Sequence, residues 1–74
     1  MKKITLSVAD RLDISATMGY YKVKSVNQLN KIKEHYSKLI KRLGVEGDKV
    51  VVRELISAVT KEMESRYIGK KYAD

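Results

Sequence analysis

Apolar and polar residues alternate with period two over the first part of the chain. The even positions from 4 to 18 read Ile4, Leu6, Val8, Asp10, Leu12, Ile14, Ala16 and Met18, and only Asp10 breaks the series. Such alternation is the pattern of a half-buried strand. Ser7, three residues before Asp10, instead has the spacing of a helix start. A hairpin over 3–18 would have to turn near Ala9-Asp10, and "SVADRL" lacks the Gly or Asn-Gly that tight hairpin turns use. One helix throughout is awkward too, because Leu12 and Ala16 face one way while Ile14 and Met18 face another. The expectation that uses both signals is a short strand over residues 2–6 or 7, with Ile4 and Leu6 inward, followed by a helix over about 8–18 capped by Ser7. The two apolar sides of that helix fit one that packs against its own chain and against a partner subunit.

The period then changes to that of a helix. Ser25-Val-Asn-Gln28 fits the S-x-x-Q capping box, and Leu29, Ile32, Tyr36, Leu39 and Leu43 follow at alternating spacings of three and four. These predict a helix over about 26–43. After "GVEGD", Asp48 is placed to cap a third helix, over about 49–67, with Val52, Leu55, Ile56, Val59, Met63 and Tyr67 on one stripe. Glu62 and Arg66 form a favourable i,i+4 pair on it. Gly19, Gly44 and Gly69 each stand where a left-handed residue would end a helix.

A lone strand needs a second one beside it, and no other convincing strand exists in the sequence. The obvious partner is a second copy of the chain. The order strand, short helix, loop, longer helix, with "KKITLS" and then "GYYKVKS" leading to a Ser-capped helix, resembles the ribbon-helix-helix family of DNA-binding proteins over residues 2–43. That resemblance implies a dimer whose N-terminal strands pair into an antiparallel ribbon and enter the DNA major groove. It also implies that Lys3, Thr5 and Ser7 meet base edges and that Lys24 with Ser25 grips a phosphate. The helix at 49–67 would be an extra C-terminal element. The expected class is therefore mainly α, a short strand followed by three helices, with a three-helix bundle or a β-hairpin plus two helices as alternatives.

Charge sharpens this picture. The 74 residues carry a formal net charge of +7. Residues 1–43 hold ten basic and three acidic side chains, whereas 44–74 hold six of each. One small domain thus divides into a basic part, 1–43, that faces nucleic acid and a neutral helical part, 44–74. A homodimeric, cytoplasmic regulator of transcription that binds double-stranded DNA is the expected function, with Lys2, Lys3, Thr5, Ser7, Lys22, Lys24, Ser25 and Lys31 as its DNA-binding residues. Lys24, Lys31, His35, Lys38 and Arg42 also line up as a basic stripe, suited to phosphates or to a merely solvated face. "YYKVK" interleaves Tyr20 and Tyr21 with lysines, as in sites that stack single-stranded bases, although tyrosines are also needed to fill the core of a chain with no Phe or Trp.

Other classes find less support. Cys is absent, so neither disulfides nor thiolate metal sites arise. His35 is the single histidine, Asp10 and Asp13 suit early helix turns, and no phosphate loop or nucleophile motif occurs. No enzymatic activity, metal or cofactor is expected. No secretory leader and no long apolar run is evident, so no membrane association is expected. The rival function is a small helical adaptor or inhibitor that binds an acidic protein through the "VVVRELISAV" face, with Leu55 and Val59 at its centre.

Overall fold

The computed structural model describes the backbone of residues 3–73 and the side chains of residues 3–66. Three α-helices follow an extended N-terminal segment: α1 (Val8–Tyr20), α2 (Val26–Ile40) and α3 (Glu46–Ala73), with a single 3-10 turn, Tyr21–Val23, between the first two. Among the described residues no helix is long and apolar enough to cross a membrane.

Both helix starts signalled by serine form as the spacing requires. The Ser7 hydroxyl accepts from the Asp10 N–H at 3.0 Å, and the Asp10 carboxylate accepts from the Ser7 N–H at 3.3 Å. Ser25 and Gln28 make the same reciprocal pair at 3.2 and 2.9 Å. Each box satisfies two N–H groups that a helix start leaves free, and such a cap stabilises by about 1 kcal/mol. Three expectations about helix ends need correction. The second helix stops at Ile40, and the third starts at Glu46, which places Asp48 in its first turn and not at its cap. None of the described glycines has a positive φ: Gly19 lies inside α1, and α3 runs through Gly69.

Among the described residues the expected N-terminal strand and its ribbon are not seen. Residues 3–7 are extended, and their side chains do alternate, with Ile4 and Leu6 inward and Lys3, Thr5 and Ser7 exposed. Their partners, however, come from the same chain. Ile4 donates to the Arg42 carbonyl and accepts from the Gly44 N–H, both at 2.9 Å, giving one isolated parallel bridge to Leu43. The Leu6 N–H goes to the Asp48 carboxylate at 3.1 Å. Residues two apart on an extended chain point their backbone groups to the same edge. That edge is already consumed, so period two here records a strap laid across the molecule and not a strand of a sheet. Gly44 makes the crossing possible, since a Cβ there would lie 2.8 Å from the Lys3 Cβ. Neither does residues 8–18 forming part of a helix leave room for the alternative of a hairpin plus two helices.

The core gathers the inward residues of the strap and all three helices. Leu6, Ile14, Leu29, Tyr36, Leu43, Val52, Leu55 and Val59 are buried together, with Ile4, Tyr21, Ile32, Leu39, Ile40, Ile56 and Met63 packed around them. Contacts between α2 and α3 dominate. The strap and the start of α3 lie at one end of the molecule. At the other, Arg66 of α3 donates to the carbonyls of Lys24, Lys22 (2.6 Å) and Tyr21 (3.5 Å), which fastens the turn between α1 and α2. Glu62 holds the same guanidinium at 2.8 Å, the i,i+4 pair expected from the sequence.

Two polar ties lie within this frame. Asp48 is 3% exposed and accepts from both the Leu6 N–H and the Arg11 guanidinium, the latter at 2.9 Å. Removing its carboxylate strands a buried donor, so Asp48→Ala should cost about 2–3 kcal/mol in urea denaturation. Arg11→Ala vacates a site that is 60% exposed, so water can take the guanidinium's place on the freed Asp48 oxygen, and the cost should be smaller, about 1 kcal/mol. Equal costs for the two variants would refute this division. The second tie is the Tyr36 hydroxyl, which donates to Asp13 at 2.6 Å and links α2 to α1. Burial, and then the Asp13 carboxylate, push the Tyr36 phenol well above its ordinary range. A raised folded-state pKa means stability that is complete below the unfolded tyrosine's pKa of about 10 and is lost as pH rises above it. Stability should therefore fall above about pH 10 in the wild type and fall less steeply in Tyr36→Phe.

Candidate nucleic-acid interface

The seam of α2 that carries Leu29 and Tyr36 faces inward, which fixes what its other side presents. Lys31, His35, Lys38 and Arg42 are all exposed, on one line down the outer face. At 1.5 Å per residue, Lys31 and Lys38 stand about 10 Å apart along the axis of α2, close to the ~12 Å width of a DNA major groove, and Arg42 follows just past the helix end. His35, Lys38 and Arg42, with Leu39, border a shallow recess of about 230 Å³ on this face. The His35 ring meets Tyr36 edge-on, with centroids 4.8 Å apart, which orients the imidazole between its cationic neighbours.

Ion pairing sets this face apart from the rest of the surface. Among the described residues the salt bridges are Arg11–Asp48, Lys49–Glu46, Arg53–Glu46 and Arg66–Glu62. Every one uses an acidic residue of α3, and none involves a cation of α2. Lys31 and Lys38 of α2, and Lys41 and Arg42 just past its end, thus make no ion pair among the described residues. Glu34, exposed near the edge of the stripe, is the single acidic residue of that helix.

The residues expected to bind DNA fall into two groups at opposite ends of α2. Lys3 reaches the C-terminal end, its ammonium 3.5 Å from the Lys41 carbonyl, where a helix dipole favours a cation. It therefore joins Lys41 and Arg42, an association between residues 38 positions apart that no local pattern reveals. Thr5 is exposed on the same strap, whereas the Ser7 hydroxyl is engaged in capping α1. Lys2 lies outside the described residues. At the N-terminal end stand Lys22, Lys24 and Ser25, with Lys31 about two turns further along α2. Lys22 is exposed and Lys24 half-buried, and Arg66 holds both of their carbonyls in place. The capping box occupies the N–H groups of Ser25 and Gln28, so a phosphate there would be left with the amides of Val26 and Asn27. Lys3, Thr5 and Ser7 do not converge with Lys24 and Ser25 into one base-reading site.

Two other surfaces named from the sequence resolve simply. Leu55 and Val59 are 0% exposed and form part of the core, so they offer nothing to an acidic protein partner. Tyr21 packs half-buried against the core and Tyr20 is exposed, so the pair does not make a stacking platform. Comparison of the chain with protein-family models, with curated proteins and with solved structures finds no match.

Proposed function

We propose that this protein binds double-stranded DNA through the outer face of α2, with Lys31, Lys38 and Arg42 contacting phosphates and Lys3 and Lys41 extending the contact at its C-terminal end. The observation that carries the reading is that these exposed cations, on α2 and clustered at its C-terminal end, make no ion pair among the described residues. Like charges held in a row on one surface repel one another, and a polyanion relieves that repulsion while releasing its own counterions. An α-helix of this width is also a shape that the major groove admits. With the strap held inside its own chain, any base contact falls to α2, where Asn27, Lys31 and His35 hold donors and acceptors on the outer side. A role in regulating transcription follows only where that face discriminates between sequences.

Binding to a duplex should weaken steeply with salt, with a slope of log K against log salt concentration of about −3 to −5 for three to five phosphate contacts. Lys31→Glu and Lys38→Glu together should abolish binding at moderate salt, and each single Ala substitution should reduce the slope by about 1. Glu34→Gln should bind more tightly than wild type. A fluorescence-anisotropy titration across a salt series reads all three. Absence of binding at low salt, or binding that the double variant leaves intact, would overturn the reading.

A further inference from the structure

The outer face of α2 is concave near its C-terminal end. His35, Lys38 and Arg42 follow one another at spacings of three and four, so they share one line, and with Leu39 they border the recess there. Leu39 is half-buried against the core and supplies the apolar part of the lining. Three nitrogen-bearing side chains thus surround one hollow, and among the described residues no carboxylate borders it. Two of the three are held by contacts that reach beyond α2. The His35 ring meets the buried Tyr36 edge-on, and Tyr36 is tied to Asp13 of α1. Arg42 lies past the last helical turn, yet its backbone is fixed on both sides. Its N–H donates to the Leu39 carbonyl and its carbonyl accepts from the Ile4 N–H, each at 2.9 Å. The negative end of a helix opposes an anion, and here the Lys3 ammonium offsets that end from 3.5 Å off the Lys41 carbonyl.

We infer that this recess is a phosphate site in which protonated His35 is the third cationic ligand beside Lys38 and Arg42, so that its occupancy is coupled to pH. The tetrahedral oxygens of a phosphate suit donors set around a hollow, whereas a carboxylate offers two oxygens in one plane. An arginine fork can take two phosphate oxygens, and a lysine and an imidazolium N–H can take others. An imidazole changes its charge between about pH 5 and 8, whereas lysine, arginine and a phosphodiester keep theirs. The neutral ring leaves two cations at the recess and the protonated ring makes three, so binding strengthens as pH falls from 8 to 6. Few groups oppose this. Glu34 is next to His35 in the chain but does not border the recess, and Asp13 is engaged by the Tyr36 hydroxyl. Among the described residues, neither the strap, α1 nor α3 contributes a group to the lining. His35 is thereby given to the DNA backbone, which leaves Asn27 and Lys31 to meet bases. The inference rests on the DNA reading for the source of the phosphate alone, since a free phosphate group would meet the same three ligands.

Duplex titrations of the full chain at pH 6 and pH 8, at one salt concentration, test it. The wild type should bind about fivefold more tightly at pH 6 than at pH 8, and in His35→Gln the ratio should fall to near one. His35→Arg carries a fixed charge, so it should also lose the pH dependence while binding more tightly than His35→Gln at pH 8. Equal ratios in the wild type and His35→Gln overturn the inference and leave DNA binding itself standing. A duplex that binds at neither pH ends the DNA reading, and sulfate then decides on the recess. Sulfate is a tetrahedral dianion whose charge is the same at both pH values. At constant ionic strength it should shift the ring resonances of His35, the single histidine, saturably at pH 6 and far less at pH 8. Lys38→Ala combined with Arg42→Ala should abolish that shift. No saturable shift in the wild type overturns the inference, as does a shift that the double variant leaves unaltered.

Discussion

The fold depends on one buried carboxylate. Asp48 stands in the first turn of α3, yet its two oxygens serve the strap and α1: one takes the Leu6 N–H, the other the Arg11 guanidinium. Removing a charge from water is expensive unless hydrogen bonds replace its hydration, and these two do so from segments about 40 residues away in sequence. Position also helps, since the first turn of a helix is where a negative charge is favoured. The strap, α1 and α3 are thereby joined at a single point, and the hydrophobic core closes behind it.

The same economy of acidic residues shapes the surface. Asp48 and Glu62 hold the two arginines that bridge elements, Glu46 holds Lys49 and Arg53 within α3, and Asp13 receives the Tyr36 hydroxyl. On α2 itself Glu34 is the single acidic residue. The asymmetry between a basic first part and a neutral second part is thus converted by folding into an asymmetry between faces. The neutral part does not form a separate surface, because α3 supplies half of the main helix pair and turns Val52, Leu55 and Val59 into the core.

What was legible in the sequence follows from the range of each interaction. Capping boxes, the i,i+4 pair of Glu62 and Arg66 and the seam from Leu29 to Leu43 are local, so spacing alone reveals them. The strap shows the limit of such reasoning. Alternation over Ile4 and Leu6 correctly signals an extended chain with one side inward, but the pattern is silent on what its backbone bonds to. A loop carbonyl at Arg42 and a side chain at Asp48 took the place of a neighbouring strand, and the ribbon expected from the family resemblance fell with it. Beyond Ser7 the even positions belong to a helix with two apolar sides, where Ile14 faces the core and Leu12 the solvent. The outer stripe of α2 was legible from its near-heptad spacing. The presence of Lys3 beside it, and the lack of acidic partners along it, depend on contacts between distant residues.

The parallel bridge between Ile4 and Leu43 also orders events in time. Its two hydrogen bonds, like the one from Leu6 to Asp48, need the connection between α2 and α3 to exist before the N-terminal segment has anything to grasp. Closing so long a loop is costly until that surface is in place. The helical pair α2–α3, with the most extensive contacts and a short connection, is the natural nucleus, and residues 3–7 dock last. The strap is consequently the last part of this fold to be fixed. Its amides at Ile4 and Leu6 should be the last to gain protection from exchange during refolding, and the first to lose it when the molecule opens.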